Sequence, residues 1–349
     1  MSSLLQNSVV RNTLLTVGAT TALYKTYQLA NFIGLYTRRS LLPRYLSQSP
    51  SSWAIVTGAS DGIGAGFAQE LLASGFNVIL HGRNSSKLSD LKSRLQEEYP
   101  SRSIDIVVAD ATDVLKSVST ITDFVKEKGY LLTVLINNIG SVTGLGGPHF
   151  TTIETISAAH MDALIDLNAR FMLHLTRSLL PLLGQYRHKP SPTTDTDTDS
   201  TSPPETTSPH PALIMTISSA ASPAALPFLT LYASLKSLAS TFSVALGHEL
   251  ALLNRPIESL GILVANVSSA MNKSPTSLFT PSSRQMARAA LEKVGCGRRE
   301  VWGYWAHGVQ AAVVFELLGR RVRERMLGKV QLESWRGERR EVTGAGEKE

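Results

Sequence analysis

From residue 53 onward, short β-branched and apolar runs alternate with helix-length segments, and no other feature constrains the fold as strongly. The runs read WAIVT (53–57), NVILH (77–81), IDIVVA (104–109), LLTVLI (131–136), ALIMTI (212–217) and GILVAN (261–266). Segments of helical periodicity lie between them, around 64–74, 86–98, 113–128, 158–183 and 229–254. Strands and helices in this order need crossover connections, and right-handed crossovers build a parallel sheet covered on both faces. The expected fold class is α/β, a doubly wound parallel sheet in a single domain over residues 51–300.

The turn after the first run narrows this further. TGASDGIG, Thr57 to Gly64, links a strand to a helix through three glycines. The first backbone N–H groups of a helix, with its aligned peptide dipoles, attract phosphate. Gly58 opens the turn, Gly62 lets backbone approach a pyrophosphate, and Gly64 lets the helix pack on the sheet. A turn that binds nothing has the same letters, so the remaining strand ends must decide. After the second strand, HGRNSSKL has no acid where NAD would need one for its ribose; His81 and Gly82 occupy the turn and Arg83 follows, which suits a 2′-phosphate and so NADP(H). Asp110 follows the third strand, where it could accept the adenine amino group. At the fourth, Asn137 and Asn138 can bridge strand ends and Gly140 admits the cofactor.

The chemistry is carried by ISSAASPAALPFLTLYASLK. Ser219 ends the fifth strand, and Tyr232 precedes Lys236 by one helical turn, which brings phenol and ammonium together. An unperturbed tyrosine has a pKa of about 10, and a neighbouring cation lowers it toward a usable acid. Ser219 can hydrogen-bond a substrate oxygen. Asn168, in DLNARF, could hold a helix open for a water that relays protons to Lys236.

The two ends speak of a membrane. Asn12 to Thr37 has no acidic residue, is largely apolar and is followed by Arg38, Arg39 and Arg44. The expectation is a membrane anchor within residues 1–50; the alternative is a helix packed on the fold or lying in the interface. Val301 to Gly319 is apolar and aromatic and leads into an arginine-rich run from Arg320 to Arg340, so 301–349 reads either as a membrane-interface segment or as a buried helix with a solvated basic tail. The net charge of +6 comes without a nucleic-acid motif, which leaves a membrane surface as the better partner. The single cysteine, Cys296, excludes an intrachain disulfide and a cysteine-rich metal site and favours a reducing compartment. His188 to Pro211, rich in proline, threonine, serine and aspartate, reads as a disordered insertion.

Taken together, Thr57 to Gly64, Asn137 to Gly140, Asn168, Ser219, Tyr232 and Lys236 resemble the short-chain dehydrogenase/reductase family in order and spacing. The resemblance implies a Rossmann fold and hydride transfer from the nicotinamide to a carbonyl carbon. Tyr232 would protonate the oxygen, Ser219 orient it, Lys236 bind ribose and tune Tyr232, and Asn168 complete the relay. It also implies an NADPH site formed by Gly58, Ser60, Asp61, Gly62, Ile63, Gly64, Arg83, Asp110, Asn137, Tyr232, Lys236, Val267 and Ser269. WAIVTGASDGIG, NNIG, PFLTLYASLK and the late NKSPTSLFTPSSRQMARAALEKVG are similar to the membrane-bound branch that holds very-long-chain 3-oxoacyl-CoA reductases and related 17β-hydroxysteroid dehydrogenases. That likeness implies a lipophilic acyl-CoA or steroid substrate, the cytosolic face of the endoplasmic reticulum membrane, and a homodimer or other elongation enzymes as partners. Alternatives are a steroid or secondary-metabolite ketoreductase and an inactive member that binds lipid or a partner.

Overall fold

The computed structural model describes residues 8–47, 51–143, 146–185, 209–269 and 272–344. The insertion read over 188–211 lies outside the described residues up to Ser208. In chain order the elements are α1 (Ser8–Thr37), β1 (Ser52–Thr57), α2 (Gly62–Ala73), β2 (Asn77–Gly82), α3 (Ser85–Glu98), β3 (Ile104–Val108), α4 (Val114–Lys128) and β4 (Leu131–Asn137). Next come α5 (Ala158–Ile165), a π-helical turn (Asp166–Arg170), α6 (Phe171–Leu179), β5 (Ala212–Ile217), α7 (Ala221–Ala224), α8 (Thr230–Leu252) and β6 (Ile257–Leu263). The chain continues through α9 (Ser283–Leu291), β7 (Glu300–Trp302), α10 (Trp305–Ala311), a second π turn (Ala312–Leu317) and α11 (Arg320–Gly344).

The strands form one parallel sheet in the order β3-β2-β1-β4-β5-β6-β7. Alternate residues of β1 serve opposite faces: Ala54 and Val56 pack toward Phe67, Leu71 and Met286, whereas Trp53 and Ile55 pack toward Ile121, Phe171 and Leu246. Because helices cover both faces, the central strands β1, β4 and β5 are mostly apolar runs buried along their whole length. Between β1 and β4 the connections diverge in opposite directions, and in an open α/β sheet the ligand crevice lies beyond the strand ends at such a point.

The sixth strand begins earlier than its apolar run, at Ile257, and ends at Leu263. Two polar residues inside it hid this start: Glu258 is held by Arg44, by the Tyr45 hydroxyl at 2.6 Å and by Gly295 N–H at 2.9 Å, while Ser259 donates to the Ser243 carbonyl at 2.8 Å. The sheet also extends past residue 300 through β7, only three residues long. His81 and Gly82, expected in a turn, are the last residues of β2.

Among the described residues no helix is long and apolar enough to cross a membrane, so the spanning anchor expected within residues 1–50 finds no support. α1 is long, but its apolar residues are diluted by hydroxyls. Thr13, Thr16, Thr20, Thr26 and Thr37 each return a hydrogen bond to the carbonyl four residues back. Its last turn docks on the domain, with Leu35 buried and the Tyr36 hydroxyl donating to the Trp302 carbonyl at 2.9 Å. Lys293, itself buried, donates to the Leu35 carbonyl at 3.3 Å, so a cation meets the negative end of the helix dipole. Of the C-terminal apolar stretch, Val301, Ala306, His307 and Ala311 are buried in the domain, while Val313 and Leu317 are exposed.

Candidate active site

Backbone geometry makes the glycine-rich turn a cradle. Gly58 and Gly62 have φ of 64° and 56°, in the left-handed region that disfavours side chains. A Cβ at Gly64 would collide with the Gly58 carbonyl and lie 2.7 Å from Asn138 Nδ2, so Gly64 closes the turn on itself. Helix packing falls instead to Gly66, where a Cβ would come within 2.6 Å of the Ser283 carbonyl on α9, a role the sequence did not disclose. Asp61 caps α2 through a 2.6 Å bond from Gly62 N–H and pairs with Lys87 at 3.4 Å. Ser60 and Ile63 are half-buried on the same turn, and Ser60 Oγ lies 3.6 Å from the place of a Gly82 Cβ. The turns after β1 and β2 are therefore neighbours, and Arg83 is exposed beside them.

At the next strand ends the expectations divide. Asp110 is exposed beyond β3, and its Oδ1 accepts from Thr112 N–H at 3.0 Å and the Thr112 hydroxyl at 2.9 Å. Asn138 bridges to β1, its Nδ2 donating to the Thr57 carbonyl at 3.0 Å. Asn137 does not face the crevice: its buried side chain donates to Thr176 Oγ1 at 2.9 Å on α6. The pleat sends adjacent residues to opposite faces, which removes the Asn137 side chain from the cofactor set. Val267 likewise buries its side chain in the core, whereas Ser269 comes back over the glycine turn, its Cβ 3.6 Å from where a Gly62 Cβ would stand.

His81, in the same sheet row as Asn137, is fully buried and stacks on Phe171 with centroids 5.3 Å apart. Burial disfavours the imidazolium and pushes its pKa down to about 4. Between the unfolded value of about 6.5 and that of the fold, the unfolded chain alone binds the proton. Stability is thus full above pH 6.5 and falls as pH drops toward 4, by on the order of 3 kcal/mol at the limit. The melting temperature of a His81→Phe variant should fall less between pH 7 and pH 4.5 than that of the parent. Equal losses would show that His81 does not titrate on unfolding.

The catalytic candidates converge where β4, β5 and the π turn meet. Asn168 sits inside the π turn and is buried. Its Nδ2 donates to the Leu164 and Ser141 carbonyls, both at 3.0 Å, and its Oδ1 accepts from Ser141 N–H at 3.0 Å. The widened turn and this side chain pin the loop after β4, so Ser141 joins the site as an unforeseen member. Lys236 is buried and donates to the Ile217 carbonyl at 3.0 Å. Gly140 fits between the two: a Cβ there would strike the lysine Nζ and stand 3.2 Å from Asn168 Oδ1.

Ser219 is close enough to Tyr232 to act on its ionisation. The tyrosine pKa is raised, because burial outweighs the lowering influence of the Ser219 side chain; the Lys236 ammonium, 5.9 Å from the ring centroid, does not pull it down as the sequence led us to expect. A raised pKa keeps the proton on Tyr232, the state a general acid needs. Burial pushes Lys236 down to about 8. Its ammonium has three donors and one carbonyl acceptor among the described residues, which leaves capacity for the hydroxyls of a ribose. This capacity and the left-handed backbone at Gly58 and Gly62 fit a nicotinamide dinucleotide at the strand ends.

On the substrate side, the loops after β4 and β5 join through Thr151 N–H and the Phe228 carbonyl at 2.9 Å. α11 lies across both. Trp335 stacks on Phe228 at 5.1 Å, and Glu338 accepts from the N–H groups of His149 and Phe150 at 2.7 and 2.9 Å. Separations of more than 100 positions kept Trp335 and Glu338 out of any local reading.

Comparisons with known proteins agree with this geometry. The family model described as short chain dehydrogenase matches residues 52–189. The very-long-chain 3-oxoacyl-CoA reductase of Candida glabrata is 30% identical, with 76% of this chain and 73% of that protein covered. Its namesake from Kluyveromyces lactis is 31% identical, covering 77% and 72%. Among solved structures, a 7beta-hydroxysteroid dehydrogenase superposes with TM-score 0.63 at 15% identity, covering 80% of this chain and 97% of that one. A short-chain dehydrogenase from Sphingobium yanoikuyae in complex with NADPH gives 0.55 at 21%, covering 77% and 96%.

Proposed function

This chain belongs to the short-chain dehydrogenase family, and from that premise we propose that it is an NADPH-dependent reductase of very-long-chain 3-oxoacyl-CoA. The observation that carries the reading is Ser219 placed beside Tyr232, with buried Lys236 next to that ring, in a chain whose relatives bear that enzyme's name. NADPH, when bound, supplies a hydride to the carbonyl carbon. Tyr232 donates its phenolic proton to the carbonyl oxygen, so ketone, hydride and proton together become the alcohol. Ser219 orients that oxygen by a hydrogen bond. Lys236 holds positive charge near the phenolate left behind, and Asn168 fixes the loop through which a water can return the proton.

Gly58, Gly62 and the first turn of α2 would hold the pyrophosphate, Lys236 the nicotinamide ribose, and Arg83 the 2′-phosphate. Arg83→Ala should raise the dissociation constant for NADPH about tenfold or more and that for NADH little, since only NADPH carries the third phosphate. Fluorescence titration with both cofactors reads this, and equal weakening would remove Arg83 from the phosphate site.

The proposed setting is the cytosolic face of the endoplasmic reticulum membrane, with the chain at the surface and not across it. Leu14, Leu15, Val17 and Leu23 are exposed on α1, and exposed Val322, Met326 and Val330 lie one turn apart on the arginine-rich α11. Apolar and basic residues together suit an anionic lipid surface. The deciding experiment is NADPH oxidation with a matched panel of long-chain 3-oxoacyl-CoA and 17-ketosteroid substrates. Turnover of the acyl-CoA series alone supports the proposal. Turnover of steroids alone makes the chain a ketoreductase of the second kind, and cofactor binding with no turnover makes it an inactive member.

A further inference from the structure

The loop that leaves β6 is tied down by a side chain from α10. His307 is fully buried, and its Nδ1 accepts from Ala265 N–H at 3.3 Å. That assignment leaves the ring proton on Nε2, which donates to the Asn266 carbonyl at 3.1 Å. One imidazole therefore holds two successive residues of the departing limb. Further along, Ser268 N–H donates to the Pro281 carbonyl at 2.9 Å, and Ser269 stands over Gly62 of the glycine turn.

α10 is in turn seated on the N-terminal helix. A Cβ at Gly308 would lie 2.6 Å from the Tyr36 hydroxyl and 3.0 Å from the Phe32 ring, so the two helices meet at a glycine. Tyr36 holds the residues just before α10 through the Trp302 carbonyl. The Tyr304 ring closes the remaining side of His307, edge-on at 5.3 Å. The path from α1 to the glycine turn is continuous: Tyr36, Gly308, His307, Ala265 and Asn266, then Ser269.

We infer that His307 is a positioning residue for the cofactor: it presets the loop after β6 so that Ser269 closes over a dinucleotide held at Gly62, and the docked end of α1 keeps it in place. The inference rests on the NADPH reading given above. A preset loop lowers the ordering cost of binding without touching the reacting atoms. Its loss should weaken cofactor binding and leave the chemical step nearly intact. The neutral imidazole offers one acceptor and one donor, and a glutamine amide offers the same pair, whereas phenylalanine keeps a ring and loses both.

The test compares His307→Phe, His307→Gln and Gly308→Ala with the parent. Hydrogen exchange of the Ala265 amide, measured without cofactor, should accelerate at least about tenfold in His307→Phe and recover in His307→Gln. KM for NADPH should rise about tenfold in His307→Phe with kcat within about threefold of the parent, recover in His307→Gln, and rise partway in Gly308→Ala. Unchanged Ala265 exchange, a fall in kcat at constant KM, or a glutamine variant no better than phenylalanine would each overturn the inference. If His307→Phe does not fold, Gly308→Ala and His307→Gln carry the decision: the first must raise KM and the second must hold it near the parent's. A parent that binds no NADPH would sink the proposed cofactor, while the exchange measurement would still report on the loop.

Discussion

Replacing Tyr232 with phenylalanine should lower kcat by roughly 10²- to 10⁴-fold while NADPH binding stays within a few-fold of the parent. The substitution removes one oxygen from a half-buried ring on α8 that neighbours Ser219. Nothing in the sheet depends on that oxygen, so melting temperature should hardly move. The reasoning is acid-base in kind. The carbonyl oxygen gains negative charge as hydride arrives at carbon, and without a positioned proton that charge must be carried by Ser219 alone. Single-turnover kinetics with preformed enzyme and NADPH isolates this step. A variant that reduces substrate within tenfold of the parent rate would mean that the proton comes from elsewhere, with water in the π turn at Asn168 the next source to test. A variant that also loses cofactor would mean that the phenol chiefly shapes the crevice.

The five strands from β1 to β5 were legible because both sheet faces are covered, which leaves unbroken apolar runs such as WAIVT with little else they could form. β6 shifted because Glu258 and Ser259 are satisfied by partners distant in sequence, Arg44, Tyr45 and Ser243, that no window of sequence contains. The same distinction divides the site. Ser219, Tyr232 and Lys236 are read from a strand end and one helical turn, and Asn168 from the segment that becomes the π turn. Asn137 and Asn138 are adjacent, so which of them faces the crevice depends on the strand's pleat, and a one-residue difference reverses the answer. His307 and Glu338 act on loops from far along the chain and leave no local pattern. α1 shows the limit of composition: its length met the need of a span, but its threonines, Lys25 and Gln28 kept it from being apolar enough.

Substituting Gly140 with alanine should cost catalysis about as much as a direct hit on the lysine, roughly 10²-fold in kcat/KM, while the fold survives. The glycine is a tight point between Lys236 and Asn168. An added Cβ would fall on Lys236 Nζ, with Cε at 3.0 Å and Asn168 Oδ1 at 3.2 Å. Of these, the lysine tip is the atom that can move, because Asn168 is fixed by bonds to Leu164 and to both backbone groups of Ser141. Moving it breaks the 3.0 Å bond to the Ile217 carbonyl and shifts the ammonium from the place at which we propose it meets ribose and supports the phenolate. The strain is met by a flexible side chain and not by backbone, so the melting temperature should fall by only a few degrees, in line with a loss of about 1 kcal/mol. Both kcat and NADPH affinity should decline, unlike in Tyr232→Phe, because in the proposed mechanism the lysine serves cofactor and acid together. The comparison with Gly64→Ala is informative, since there the obstacle is the Gly58 carbonyl and the whole turn must shift, so loss of NADPH binding should dominate. If Gly140→Ala retained full activity, the lysine would have a second productive position, and the tight packing of Gly140, Lys236 and Asn168 would not be what sets the rate.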